Sequence, residues 1–437
     1  MSRPSKSRRR SAKPNRAKAI EAEARAERLG ARGDALCRTA DGTSAFVANL
    51  LPGERARIAI RGDRGTVLER LSDAPERVTP DCPVADACGG CALQHMAPDA
   101  YRSWKRALVV EALEREGLDL DVGALVTAWG EGRRRAAFHA VRAMTGVAFG
   151  YRERAGPRVA DTDDCPVAAP AVREAIPALR GLAEIVLEHR KPGAEITLAV
   201  ADMEPGLDVA VTGVGEVTLA MREAAAEAAR TGGWARVTID ADPVAAAAAP
   251  FVRFGKAEVS PPPGGFLQAT AAGESVLAQA VLEALPGEAK RVFDLYAGSG
   301  AFALRLARHA PVTAVEGDED AAAALRFAAD RTPGLKPVET MWRDLVREPM
   351  TPGELGEADL VVVDPPRAGA KLQAEELAVS GVRRIAMVSC NPATFARDAA
   401  ILVDGGYRPG PVTPVDQFAW TGHVELVCVF ERSHQPH

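Results

Sequence analysis

The order of apolar and polar positions changes character three times along the 437 residues. Residues 31–78 run in short alternating stretches, "GTSAFVANLLPGERARIAI" and "RGTVLERL", broken at "LPGE" and "RGDRG". Period-two alternation between turn-forming residues predicts a small OB-like β-barrel. Residues 98–117 carry a helical pattern. Between 130 and 255, strands are predicted at "GVAFGYRE", "EITLAVAD", "LDVAVTG" and "WARVTID", with an Ala-rich helix near 216–230. "SPPPGG" at 260–265 marks a joint. Beyond it, apolar runs alternate with helical stretches: "RVFDLYAG", "PVTAVEGD", "PVETMWRD", "ADLVVVDPP" and "RRIAMVSCNP". Such runs read as strands of a doubly wound parallel sheet, buried on both faces. The chain then closes on two strands joined by a turn.

The fold class predicted is therefore α/β plus β, in three domains behind a tail. The tail is residues 1–30 and the barrel 31–78. A central α+β domain spans 79–259, its helix 98–117 a candidate to pack on the doubly wound domain at 260–437.

Composition changes this picture little. With 47% hydrophobic and 26% charged residues the chain is of ordinary globular type. No apolar run reaches membrane-spanning length, and the start has no apolar core of a secretory signal, so a cytoplasmic protein without a membrane partner is expected. Charge adds one feature. Residues 1–18 hold eight Lys/Arg and no acid, against a net charge of −5 for the whole. A disordered basic arm with phosphate contacts is the expectation there.

Two constellations carry chemistry. "VFDLYAGSGAF" (292–302) is a strand, a Gly-rich turn and a helix, a place where backbone approaches a ligand. Glu316 ends the next strand, 22 residues on from Asp294, where an acid accepts both hydroxyls of a ribose. Asp344 and Asp364 end the third and fourth strands. A dinucleotide site would share the turn and the ribose acid; acids around a pocket without phosphate ligands suit S-adenosylmethionine (AdoMet) better. Cys390, in "MVSCNP", stands where the fifth strand gives way to a loop. Core filler would sit within the strand, whereas strand carboxyl ends are where ligands bind. The second constellation is "DCPVADACGGC", holding Cys82, Cys88 and Cys91, with Cys165 in "TDDCPVAAP". Seven cysteines without an export signal argue against a disulfide framework. From spacing alone Zn(Cys)4 and a [4Fe–4S] cluster are equally served.

"FLQAT", "DLYAGSG", "VEGD", "DPPR", "VSCNP" and "DQF…GHVE" together resemble the RNA uracil-5-methyltransferase family, from about residue 31 to the end. The resemblance implies a class I AdoMet-dependent methyltransferase domain and a TRAM-type, RNA-binding barrel. By the family's pattern Gln268, Tyr296, Gly298, Gly300, Glu316, Asp344 and Asp364 line the AdoMet site. Cys390 is then the nucleophile and Glu425 the general base; the residues alone would leave Glu425 a surface acid, and His423 is a rival base. The same pattern decides for [4Fe–4S] on Cys82, Cys88, Cys91 and Cys165. The implied substrate is a specific uridine of a structured RNA, ribosomal in preference to transfer, and the implied state a monomer. Ala301 and Thr270 depart from asparagines common in the family, which removes possible polar contacts to AdoMet.

Competing readings are an RNA cytosine-5-methyltransferase, an amino-group methyltransferase and a non-catalytic RNA-binding protein. Pro366 stands where the cytosine-5 enzymes carry a second cysteine. Arg367 stands where the amino-group enzymes carry an aromatic that stacks on the base.

Overall fold

The computed structural model describes residues 19–154 and 156–432, so the basic stretch 1–18 lies outside the described residues. The chain divides into two compact units, residues 1–77 and 78–437.

The first unit is a closed five-stranded barrel: Ile20–Leu29, Ala35–Thr39, Ser44–Val47, Arg55–Arg61 and Arg64–Arg70. The tail expected to reach residue 30 ends earlier, because Ile20–Leu29 is the first barrel strand. It pairs with both Ala35–Thr39 and Arg55–Arg61, which closes the barrel and leaves no free edge. In "RARIAIR", Ala56, Ile58 and Ile60 turn inward while Arg55, Arg57 and Arg61 turn out, as period-two alternation requires. Three outward arginines pair with acids of the barrel itself: Arg55 with Glu23, Arg57 with Glu69 and Arg64 with Asp34. Cys37 is a buried core residue.

The second unit holds two sheets. One has seven strands, from Asp242–Ala246 at one edge to Val159–Asp161 at the other, with the helices Ile176–Leu187 and Leu219–Gly232 packed on it. The other has nine. Its parallel core runs, in spatial order, Val338–Trp342, Val312–Glu316, Val292–Leu295, Leu360–Val363 and Arg384–Ser389. Antiparallel Glu425–Arg432 and then Thr413–Asp416 follow. Order reverses at Val292–Leu295, and its two neighbours open a crevice at their carboxyl ends. Leu360–Val363 is buried at every position, which accounts for its unbroken apolar run.

Residues 98–127 join this second layer. Val109, Ala112 and Leu113 of the helix Pro98–Arg115 lie in the same core as Phe395 and Ala399. Val126–Thr127 adds a parallel edge strand beside Thr413–Asp416. The helix expected after the glycine turn is only one α turn, Ala303–Leu306. Among the described residues no helix is long and apolar enough to cross a membrane.

Candidate active site

At the strand ends, backbone chemistry places the side chains. Asp294 lies within its strand, fully buried, with no side-chain partner on either carboxylate oxygen. Burial, with the Asp364 and Glu316 carboxylates nearby, pushes it well above the usual carboxylate range, opposed by the Ala303 amide. The chain then turns through Tyr296, Gly298 and Gly300, all at positive φ. Glycine is required at 300, where a Cβ would stand 2.8 Å from Leu325 Cγ. Glu316 holds this turn from the next strand: it accepts from the Gly298 amide at 2.7 Å and from the Asp318 amide at 2.7 Å. Asp344 is exposed at the mouth and accepts from the Val346 amide. Burial pushes Asp364 up to about 7.

Cys390 follows Arg384–Ser389 directly. Asn391 caps the helix Pro392–Asp404, accepting from the Ala393 amide, with Pro392 at the first helical position, so "NP" is what ends the strand run. Asn391 Nδ2 and Thr394 Oγ1 both donate to the Arg367 carbonyl, tying this turn to the "DPPR" loop. Burial and the Glu425 and Asp364 carboxylates push the Cys390 thiol up to about 11, opposed by its own amide and by Arg367.

Register brings the cysteine and the acid together. Ser389 pairs with Leu426 across the antiparallel ladder, so the next position on each strand is Cys390 on one and Glu425 on the other. Glu425 is 3% exposed, and burial together with Asp364 pushes it up to about 8, opposed by Gln417 and Lys105. His423 does not share that face: it precedes the strand, is exposed, and sets its ring edge-on to Phe418.

Three groups to which the sequence reading gave no role in the site join it. Gln417 is buried and links Gln268 to Glu425. Gln268 in turn donates to Asp364 at 3.4 Å. Lys105, on the helix Pro98–Arg115, is fully buried and donates to Asp416, to Tyr101 Oη and to the Phe418 carbonyl. Arg134 donates to the Gln268 carbonyl and, with Arg305, brackets the buried Glu274. Gln417 lay inside the motif "DQF"; Lys105 and Arg134 come from segments far away in sequence. Thr270, whose contacts to AdoMet were in question, makes three hydrogen bonds within the protein: its hydroxyl donates to the Ala128 carbonyl and caps Gly273, and its amide donates to Gln417.

Cys82, Cys88, Cys91 and Cys165 line one cavity with Tyr151 and Arg133. Burial and the three other cysteines push the Cys88 thiol up to about 11, against a hydrogen bond from the Gly90 amide. Among the described residues no group of three or more His, Cys, Asp or Glu is drawn together closely enough to hold a metal ion. Gly89 passes so close to the neighbouring strand that a Cβ would stand 2.8 Å from the Arg152 carbonyl. The loop also reaches the site: the Ala92 and Leu93 amides donate to the Trp420 carbonyl, and Arg133 to the Ala419 carbonyl.

A family model described as tRNA (Uracil-5-)-methyltransferase matches residues 355–433, the stretch that holds Asp364, Cys390 and Glu425. An uncharacterized RNA methyltransferase of Caulobacter vibrioides is 45% identical over 410 residues, covering 92% of this chain and 98% of that protein. The 23S rRNA (uracil(1939)-C(5))-methyltransferase RlmD of Chromohalobacter salexigens is 34% identical over 436 residues, 93% of this chain and 88% of its own. Among solved structures, the Pyrococcus abyssi tRNA (uracil-54, C5)-methyltransferase in complex with S-adenosyl-L-homocysteine is similar at TM-score 0.68. It is 22% identical and covers 93% of this chain and 100% of its own, a likeness of fold.

Proposed function

The chain belongs to the RNA uracil-5-methyltransferase family and is an AdoMet-dependent enzyme, and from that premise we propose that it methylates C5 of a uridine in ribosomal RNA through Cys390 and Glu425. The observation that carries this reading is the ladder register that sets Cys390 and the buried Glu425 on facing strand ends. The ribosomal choice rests on the relative named for 23S rRNA, at 34% identity over 93% of this chain.

C5 of uracil is too weak a nucleophile to take a methyl group unaided. As its thiolate, Cys390 adds to C6, and the electron pair of the C5=C6 bond passes to C5 and O4 as an enolate. AdoMet supplies the methyl group from its sulfonium, the S–CH3 bond breaking as the C5–CH3 bond forms. Glu425 then takes the proton from C5, the C5=C6 bond re-forms, and the C6–S bond breaks to return the thiolate. The target base has to leave its stack to reach Cys390.

The pocket's charge suits the donor. Asp294 is buried with no side-chain partner, and burial holds Asp364 and Glu425 above their usual range. A bound sulfonium would bring these acids down and leave Glu425 ready to accept a proton. Gln268, Tyr296, Gly298, Gly300, Glu316, Asp344 and Asp364 are the residues we assign to AdoMet. We assign Cys82, Cys88, Cys91 and Cys165 to a [4Fe–4S] cluster, on the grounds that all four thiols line one cavity. Such a cluster would supply rigidity to the loop that meets Ala419 and Trp420. We place the enzyme in the cytoplasm, acting on RNA as a monomer.

RNA pools containing 5-fluorouridine test the reading, since fluorine cannot leave as a proton. Wild-type protein with AdoMet should form a denaturation-resistant adduct, and the trapped RNA should be ribosomal. No adduct, or an adduct that persists in Cys390→Ala, would refute the mechanism; trapped transfer RNA would refute the substrate.

A further inference from the structure

We propose that Gln417 is a positioning residue, aiming the Glu425 carboxylate at the face of Cys390 and locking it to Gln268 on the cofactor side. This rests on the reading of Glu425 as the base.

Gln417 is 1% exposed, and its amide is fully used. One Nε2–H donates to Glu425 Oε1 at 3.1 Å and the other to Gln268 Oε1 at 2.5 Å, while Oε1 accepts from the Thr270 amide at 3.3 Å. The reverse orientation would set oxygen against two acceptors and NH2 against an N–H, so only one orientation works. Gln268 passes the link on to Asp364. A chain of hydrogen bonds thus runs from the proton acceptor to an acid of the cofactor crevice, with Gln417 at its centre.

The surroundings are shaped for this side chain. Gly273 lies in the first turn of the helix Ala271–Glu283, and a Cβ there would stand 2.7 Å from Gln417 Cβ and 2.8 Å from its Oε1. Glycine is disfavoured in a helix relative to alanine, and here it makes room for the amide. The backbone of Gln417 is fixed by its neighbour. Asp416 accepts from Lys105 Nζ, the Phe418 amide, Tyr101 Oη and Trp129 Nε1, all with no exposed surface of its own. The backbone from which the amide projects is thereby held in place.

Chemistry gives the arrangement its consequence. Glu425 faces Asp364 from one strand end, Cys390 from the next, Lys105 from the helix and Gln417 from its own hairpin. Burial and Asp364 oppose its charge; Gln417 and Lys105 favour it. Removing the Gln417 N–H therefore costs the base twice, in aim and in charge, while leaving addition and methyl transfer their groups.

Gln417→Met tests this, because methionine fills the same volume without the hydrogen bonds. The full-length protein is given unmodified RNA and AdoMet, and adduct on denaturing gels is followed beside 5-methyluridine formation across pH. A hydrogen bond to a charged group implies proton removal slower by about tenfold or more, and a rising pH limb moved up by about one unit. Adduct should accumulate on ordinary uridine. If Gln417→Met turns over within twofold of wild type with its pH limb in place, while Glu425→Gln traps adduct, Gln417 only fills space. If Glu425→Gln itself turns over normally, the base assignment falls and this proposal with it. Should the methionine variant not fold, Gln417→Asn, which draws the amide back by one methylene, must trap the same adduct; wild-type turnover there overturns the proposal.

Discussion

Replacing Glu425 by Gln should make the protein more stable, by an amount that grows with pH. In the unfolded chain the carboxyl titrates near 4.5, whereas in the folded pocket burial and Asp364 hold its proton up to about 8. Between those values the folded state binds the extra proton, so wild-type stability falls as pH rises through the window. Glutamine has no such titration, and its carbonyl still accepts from Gln417. Roughly three and a half pH units at about 1.36 kcal/mol each give a ceiling near 5 kcal/mol at pH 8 and above, and almost nothing at pH 4.5. The group has almost no exposed surface, so solvent screening takes little from that figure. All five tryptophans lie beyond residue 77, so their fluorescence follows the 78–437 unit alone. Urea midpoints of both proteins at pH 5 and pH 8.5 give the measurement. A gap that stays constant, closes with pH, or favours wild type at pH 8.5 would refute the claim that the site stores the cost of a buried base.

Lys105→Met should destabilise the 78–437 unit by about 3–5 kcal/mol, because it strands Asp416 as a buried charge without its cation. A change under about 1 kcal/mol in urea unfolding would show that Tyr101, Trp129 and the Phe418 amide suffice for that carboxylate. Protein purified without oxygen should carry about four irons per chain, and Cys88→Ser should lose them together with thermal stability. Stoichiometric zinc without iron or sulfide would overturn the cluster.

The sequence by itself determined the elements and the chemistry within each. Alternation in "RARIAIR" fixed which side of a barrel strand is core, and the unbroken "LVVV" could only be a strand covered on both faces. Asn-Pro after Cys390 ended a strand and began a helix by local rules, so the cysteine's place at a carboxyl end was readable. Only the tertiary structure decided what met what. The facing of Cys390 and Glu425 is a register between strands 35 positions apart, and register is set by which faces the sheet must bury. It also separated Glu425 from His423, which the two-residue spacing left equivalent. Lys105 is the sharper case: a lysine in a weakly patterned helix reads as solvated, and it is buried because that helix packs on the far end of the chain. Its partner Asp416 is 311 residues away. Periodicity reports the surface an element needs covered, but carries no information about which distant polar group will complete a buried hydrogen-bond set.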